Sequence, residues 1–200
     1  MKLPIVIMGF LFLINCGTPA PKSENEDIIK KDTVTQKLPP VEEITLPKIP
    51  ENAVAANYRS GSPPFYGYVE DVNFVKATTT INFQDNLAPV LVIEESYGAQ
   101  IDYLRFPEFR SDLLLVTSVI KDPNFNKYYL YEFRGDSWKE IVNGWAIHKD
   151  NQPDTLQPIS VSVRKPNHMH RYYSVFDLDK ESELGYTWRL LEETIPIIKE

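Results

Sequence analysis

The distribution of apolar and polar positions divides the chain into three parts. Residues 5–14 form an apolar stretch of ten residues, whereas residues 17–55 contain six prolines and no aromatic side chain. Residues 56–200 alternate short apolar or β-branched runs with turn-forming residues. We therefore expect a leader at 1–15, a linker at 16–55 and a single β-rich globular domain at 56–200.

The third part predicts β-strands and offers little evidence for helices. Residues 72–75, 78–83 and 159–164 alternate in polarity or are β-branched, which is typical of half-buried strands. Residues 89–94 and 113–120 are continuous apolar runs, which indicate central strands. The remaining predicted strands are 128–133, 138–142, 172–178 and 186–192. Residues 96–105 or 179–184 would form one helical turn at most.

A weak internal repeat refines the fold prediction. Residues 113–142 and 159–192 both contain a strand, a turn, a strand with paired tyrosines, a second turn and a tryptophan followed by a basic residue. Such three-stranded units recur in propellers, but a propeller needs about four or more of them and this domain is long enough for fewer. The sequence therefore predicts an all-β fold, an antiparallel sandwich or open barrel built from short meanders, with a partial propeller as the less favoured alternative.

The linker between leader and domain is predicted to be disordered. Without aromatic side chains, residues 17–55 cannot bury enough apolar surface to offset the entropy of ordering. Their prolines favour polyproline geometry, in which a fully extended linker would reach roughly 120 Å, whereas a coil would span on the order of 35 Å. Such a linker would let the folded domain stand away from a membrane.

The leader ends at the only cysteine of the chain. Lys2 gives a positive start, and Cys16 directly follows an apolar run that is about half as long as a bilayer span. With Leu13 three residues before the cysteine, this segment resembles the lipobox signal peptide of bacterial lipoproteins. The resemblance implies cleavage before Cys16, acyl chains such as palmitate on the new N-terminus, and sorting to the outer membrane because Gly17 follows. An acidic run at 22–27 leaves open whether the domain faces the periplasm or the cell surface.

Charge and cysteine content exclude several classes of protein. The formal net charge is −7, which argues against a nucleic-acid partner because such proteins gain affinity from a basic face. A single cysteine excludes an internal disulfide and a zinc cluster held by several thiolates.

No catalytic arrangement is recognisable in the sequence, so we predict that the protein is not an enzyme. The chain lacks a Gly-x-Ser-x-Gly elbow, a glycine-rich phosphate loop and a His-Glu-x-x-His motif. His168 and His170, with the methionine between them, have the ligand types that copper prefers. Acidic residues at every second position from 177 to 183 loosely follow a calcium loop but lack its glycine. Exposed turn residues explain both sets better, and we assign no metal and no cofactor.

Aromatic side chains are the remaining candidates for a binding site. Tyr66 and Tyr68 lie in a segment rich in glycine and proline, and three tryptophans, Trp138, Trp145 and Trp188, lie near the ends of predicted strands. Flat rings on a β surface can stack on sugars or anchor a protein partner. Core packing is the alternative explanation for each tryptophan.

Two functions are compatible with these features. The first is a membrane-tethered, non-catalytic envelope lipoprotein that acts as an accessory or interaction subunit with a protein partner in the envelope. The second is a surface module that binds a glycan or a metal. An exposed row of tryptophans would favour sugar binding, convergence of the three histidines would favour metal binding, and burial of all these residues would favour the accessory role.

Overall fold

The computed structural model describes residues 48–153 and 155–198, which are built almost entirely of β-strands. In chain order the strands are β1 Val54–Ala56, β2 Phe65–Asn73, β3 Thr78–Phe83, β4 Leu91–Glu94, β5 Ala99–Leu104, β6 Leu113–Val119, β7 Phe125–Arg134, β8 Ser137–His148, β9 Ile159–Val161, β10 His168–Leu178 and β11 Tyr186–Pro196. Two short 3-10 turns occupy Gln84–Asn86 and Lys149–Asn151. The predicted leader, Cys16 and most of the predicted linker lie outside the described residues.

The strands form three antiparallel sheets. The first sheet has the order β1-β2-β3-β4, the middle sheet β5-β6-β7-β8 and the third sheet β11-β10-β9. Neighbouring strands in each sheet are also neighbours in the chain, so each sheet is a meander. The prediction of an all-β antiparallel fold is confirmed, and the arrangement is a sandwich. The two repeat units of the sequence are the meanders β6-β7-β8 and β9-β10-β11.

The middle sheet is buried on both of its faces. In β6, Leu114 and Val116 pack in the core shared with the first sheet, whereas Leu113 and Leu115 pack in the core shared with the third sheet. Successive side chains of a strand point to opposite faces, so a strand between two sheets needs apolar residues at consecutive positions. This burial explains the unbroken apolar run and confirms the prediction of a central strand at 113–120.

The other predicted central strand was wrong. Residues 89–94 contribute only β4, which lies at the edge of the first sheet. Ile93 is buried there, but the side chain of Val92 is half exposed. The apolar run therefore did not indicate a central strand. β4 has a neighbouring strand of its sheet on one side only, and only one of its two faces is covered.

A chain of buried hydroxyls connects the first sheet to the middle sheet. The Ser96 side-chain oxygen lies 2.7 Å from that of Thr79 on β3 and 2.8 Å from that of Ser118 on β6. All three residues are fully buried, and the backbone N–H of Gly98 donates to the Thr79 hydroxyl. These bonds fix the bend between β4 and β5. The helical turn considered for 96–105 is absent from these described residues, because the bend runs directly into β5.

Asp112 holds the segment before β2 against the middle sheet. Its carboxylate, which is almost fully buried, accepts hydrogen bonds from the Arg105 guanidinium at 2.7 and 2.8 Å and from the backbone N–H of Asn57 at 2.9 Å. The backbone N–H of Asp112 donates in return to the Asn57 carbonyl at 2.8 Å. The hydrogen bond from Arg105, assisted by that from Asn57, holds the pKa of the Asp112 carboxyl below its usual range despite burial.

Several predicted boundaries differ from the structure. Val54 and Ala55, assigned to the linker, belong to β1, so the folded part begins before residue 56. Phe65 starts β2 within the segment rich in glycine and proline, where no strand was predicted. The third sheet also extends further, because β10 begins at His168 rather than at 172. Residues 179–184 form hydrogen-bonded turns between β10 and β11 and not a helix.

Burial of β6 on both faces predicts that this strand controls the stability of the domain. The substitution Leu114→Ala should lower the free energy of unfolding by about 2–5 kcal/mol, because it leaves a cavity between two sheets. The fully exposed Val163 provides the control, and Val163→Ala should change stability by less than about 0.5 kcal/mol. Urea denaturation measures both values, and equal effects of the two substitutions would contradict the burial of β6 in the core shared with the first sheet.

The low pKa of Asp112 predicts an acid-dependent loss of stability. A carboxyl whose pKa is lower in the folded than in the unfolded state stabilises the fold above its unfolded pKa, and this contribution disappears as pH falls through the folded pKa. Asp112→Asn should therefore cost about 1–3 kcal/mol near pH 7. The difference from the wild type should shrink below the ordinary carboxyl pKa of about 4. In urea titrations across this pH range, the control Val163→Ala, which removes no titratable group, should differ from the wild type by a constant amount, and a constant difference for Asp112→Asn would refute the assignment.

Candidate binding site

An aromatic cluster lies at the end of the third sheet where β10 turns into β11. Phe176 on β10 pairs directly with Trp188 on β11, and their rings meet edge to face at 5.7 Å between centroids. The next aromatic residue, Tyr186, stacks on Phe176 at 5.2 Å. Both rings are partly exposed, with 54% of the surface accessible for Phe176 and 36% for Tyr186. The hairpin therefore presents aromatic rings to solvent.

The middle sheet completes the cluster. The His148 ring at the end of β8 lies parallel to the Trp188 ring, with 5.7 Å between centroids. Phe125 at the start of β7 packs edge to face against both rings, at 5.0 Å from His148 and 4.8 Å from Trp188. The aromatic cluster of Phe125, His148, Phe176, Tyr186 and Trp188 is thus contributed by four strands of two sheets.

Hydrogen bonds hold Trp188 in place from behind. The Asn151 side-chain amide donates to the Trp188 carbonyl at 2.6 Å and to the Ser174 hydroxyl at 3.1 Å. The same hydroxyl accepts the backbone N–H of His148 at 2.8 Å. The imidazole Nδ1 of His148 accepts the backbone N–H of Asp150 at 3.3 Å, which caps the 3-10 turn. These bonds tie the turn Lys149–Asn151 to the third sheet and fix the position of the rings.

A groove of about 440 Å³ runs beside the cluster. Tyr186 and Trp188 form its aromatic part, and its polar part includes Asn124, Asp150 and Thr187. The Asp150 carboxylate is 88% exposed, and both Asn124 and Thr187 are exposed as well. The groove therefore combines ring surfaces with an exposed amide and an exposed carboxylate.

The structure separates the five aromatic residues proposed from the sequence. Trp188 lies in the aromatic groove, whereas Trp145 is 4% exposed and stacks on Tyr128 inside the core between the middle and third sheets. Trp138 packs against the core of the first sheet, 4.7 Å from the Phe83 ring, and its indole N–H donates to the Pro89 carbonyl. Both tryptophans therefore pack in or against a core, as the alternative explanation expects.

Tyr66 and Tyr68 lie on a different sheet from Trp188. They occupy alternate positions of β2, on the face opposite the buried Phe65 and Gly67, and their rings are 6.1 Å apart. Both are partly exposed on the outer face of the first sheet. The five predicted aromatic residues are therefore spread over the three sheets, and the three tryptophans among them do not form a linear row.

Four members of the aromatic cluster were not among the predicted site residues: Phe125, His148, Phe176 and Tyr186. The sequence carries one usable signal for two of them, because a hairpin closed at 179–185 places residue 176 opposite 188 and residue 178 opposite 186. Phe125 and His148 depend on how the middle and third sheets pack, which strand patterns alone do not specify. The sequence therefore predicted Trp188 as a binding residue but not the aromatic residues that surround it.

The histidines do not converge on one site. His148 contacts Trp188, whereas His168 and His170 lie near the opposite end of β10 and are part of the strand rather than of a turn. The His170 Nδ1 atom lies 3.0 Å from the Thr194 hydroxyl and 3.2 Å from the Glu192 carboxylate. Among residues 48–153 and 155–198, no group of three or more His, Cys, Asp or Glu side chains is placed to hold a metal ion. The same residues contain no helix that is long and apolar enough to cross a membrane.

Within the described part of the chain, the aromatic groove joins exposed rings and exposed polar groups in a fixed arrangement. The volume of the groove, about 440 Å³, falls within the range of about 300–1,000 Å³ seen for ligand sites. The chain matches no known protein family, no curated protein and no solved structure. The groove's own chemistry must therefore indicate what it binds.

Proposed function

We propose that this protein is a lipid-anchored, non-catalytic accessory subunit of the bacterial cell envelope whose β domain binds another envelope component through the aromatic groove. The observation that carries the proposal is the exposed ring stack of Phe176 and Tyr186, which continues into Trp188 and His148. Phe176 and Tyr186 leave 54% and 36% of their surfaces accessible, so the domain does not use all of their apolar area for its own core.

Exposed apolar side chains surround the stack. Leu178 is 79% exposed and Leu184 is 72% exposed, and both belong to the same hairpin as Phe176 and Tyr186. Contiguous exposed apolar residues with aromatic members are typical of interaction surfaces, where a few rings supply most of the binding energy. Isolated exposed residues such as Val163 do not form such a patch.

Charged residues lie at the end of the hairpin beside this surface. The turn between β10 and β11 carries Asp179, Glu181 and Glu183, whereas Asp177 makes its ion pair of 3.3 Å with Arg189 on the opposite face of the hairpin. Polar groups beside an apolar surface keep the unbound protein soluble and help to confine binding to that surface. The arrangement therefore supports a binding role.

The proposed anchor rests on the sequence. Cys16 directly after the apolar leader supplies the attachment point, and two or three acyl chains hold a protein stably where a single chain holds it marginally. The proline-rich linker would let the groove search a volume above the membrane, on whichever side of the outer membrane the protein resides. A protein of the envelope is the partner class that the accessory role implies.

Binding without catalysis fits the groups that meet at the groove. The Ser174 hydroxyl accepts a backbone N–H of His148 and an amide of Asn151, so it is engaged as an acceptor away from the imidazole. His148 uses Nδ1 to cap the following turn. These side chains hold the backbone in place, which supports the interpretation of the groove as a preformed binding surface.

The proposed anchor predicts a lipid-modified N-terminus. In membranes of the producing cell, the N-terminal peptide of the mature protein should begin at Cys16 and carry acyl groups, with incorporation of an alkyne palmitate analogue. The substitution Cys16→Ser should abolish both the label and the processed N-terminus, whereas Ser23→Ala in the linker should leave them unchanged. Mass spectrometry of the N-terminal peptide measures this, and a wild-type chain without lipid would contradict the anchor.

The proposed binding surface predicts position-specific cross-linking in intact cells. A photo-reactive diazirine amino acid in place of Leu178 should give a discrete adduct after illumination, because this position lies beside the aromatic stack. The same amino acid in place of the fully exposed Val163 is the matched control and should give none. Gel mobility and mass spectrometry identify the adduct. Absence of an adduct at position 178, or equal adducts at both positions, would refute the surface as the binding site.

A further inference from the structure

We infer that the aromatic groove binds a neutral saccharide, with one sugar ring stacked on its aromatic wall. The inference rests on the proposed function and names the chemical group that the groove would recognise on its envelope partner, a saccharide carried by that partner. It follows from three properties of the groove: an aromatic wall of fixed geometry, polar groups that both donate and accept hydrogen bonds, and a local charge that disfavours anions.

The aromatic wall is supported on its other sides by protein. Trp188 is packed by Phe125, His148 and Phe176, and Tyr186 is stacked on Phe176, which does not itself line the groove. The rings therefore lose little conformational freedom when a ligand binds. A pyranose presents a flat face of C–H groups, and such a face packs well on an aromatic ring. The wall thus fits the apolar side of a sugar.

The polar wall matches the hydroxyl groups of a sugar. Each sugar hydroxyl both donates and accepts, so it is best satisfied by a carboxylate, an amide or another hydroxyl. Asp150 offers a carboxylate acceptor and Asn124 an amide, and both residues line the groove and are exposed. An apolar ligand would leave these groups without partners, which costs binding energy.

Charge selects a neutral ligand over an anionic one. The Asp150 carboxylate lines the groove and the whole chain carries a formal net charge of −7. A phosphate or an acidic polysaccharide would be repelled by both. The volume of about 440 Å³ lies within the range of about 300–1,000 Å³ seen for ligand sites and suits a short stretch of a chain more than a long buried ligand.

The test uses the full-length wild-type lipoprotein, purified in a detergent without sugar head groups. Neutral trisaccharides serve as probes: maltotriose, cellotriose, mannotriose and chitotriose. Saturation-transfer NMR detects contact, and calorimetric titration gives the dissociation constant. We expect saturable binding of at least one trisaccharide, with transfer strongest to the ring protons of one sugar unit.

Matched variants locate the binding in the groove. Tyr186→Ala should weaken the binding about ten-fold, equivalent to about 1.4 kcal/mol, whereas Tyr186→Phe should retain it because the ring remains. Asp150→Ala should weaken binding by a similar factor. Tyr66→Ala, on the outer face of the first sheet, and Asp71→Ala, an exposed carboxylate of the same sheet, should leave it unchanged. Chemical denaturation of each variant confirms that it is folded.

The outcomes separate the inference from the proposed function. Trisaccharide binding that responds to Tyr186 and Asp150 but not to Tyr66 and Asp71 supports the saccharide site. If no trisaccharide binds while the diazirine at position 178 captures a protein, the saccharide inference is overturned and the binding function stands. If a trisaccharide binds equally to the wild type and Tyr186→Ala, the groove is not the site. No trisaccharide binding and no adduct would overturn both.

Discussion

Burial of the middle sheet on both faces is the constraint on which the rest of the domain depends. Leu113 and Leu114 are neighbours in the chain, yet they pack in different cores, one against the third sheet and one against the first. A shift of β6 by one residue would move every side chain to the wrong core, so the register of this strand is strongly specified. The buried hydroxyls around Ser96 and the carboxylate of Asp112 then attach the first sheet to this centre.

Much of the fold follows from local patterns. The tight connection between β7 and β8 is an example, since Gly135 and Asp136 both adopt positive φ and close a two-residue hairpin that their sequence predicts. Such local signals predicted the meanders and the all-β class. Edge positions were not predictable in the same way, because β4 has an apolar sequence but only one covered face. Whether a face is covered depends on the packing of sheets far apart in sequence.

The site was less predictable than the fold for the same reason. In the sequence, Trp145 and Trp188 both lie near the ends of predicted strands. In the structure, Trp145 is packed between sheets, whereas Trp188 lines a groove. What distinguishes them is the partner across the strand: Trp145 faces the buried Tyr128, whereas Trp188 faces the exposed Phe176. Cross-strand pairing could be inferred for a hairpin with a recognisable turn. The place of His148 in the cluster could not be inferred in this way, because it depends on how the middle sheet packs against the third.

Construction of the groove from two sheets makes its existence depend on the contact between them. Asn124 and His148 belong to the middle sheet side, and Tyr186 and Trp188 to the third sheet, so the cavity exists only while the two layers are in contact. A ligand that spanned both walls would bind the assembled state alone and would stabilise it by mass action. In thermodynamic terms such a ligand would act as a reversible cross-link between the two layers. The third sheet, which has one long edge strand and the fewest strands, would gain most from such a link.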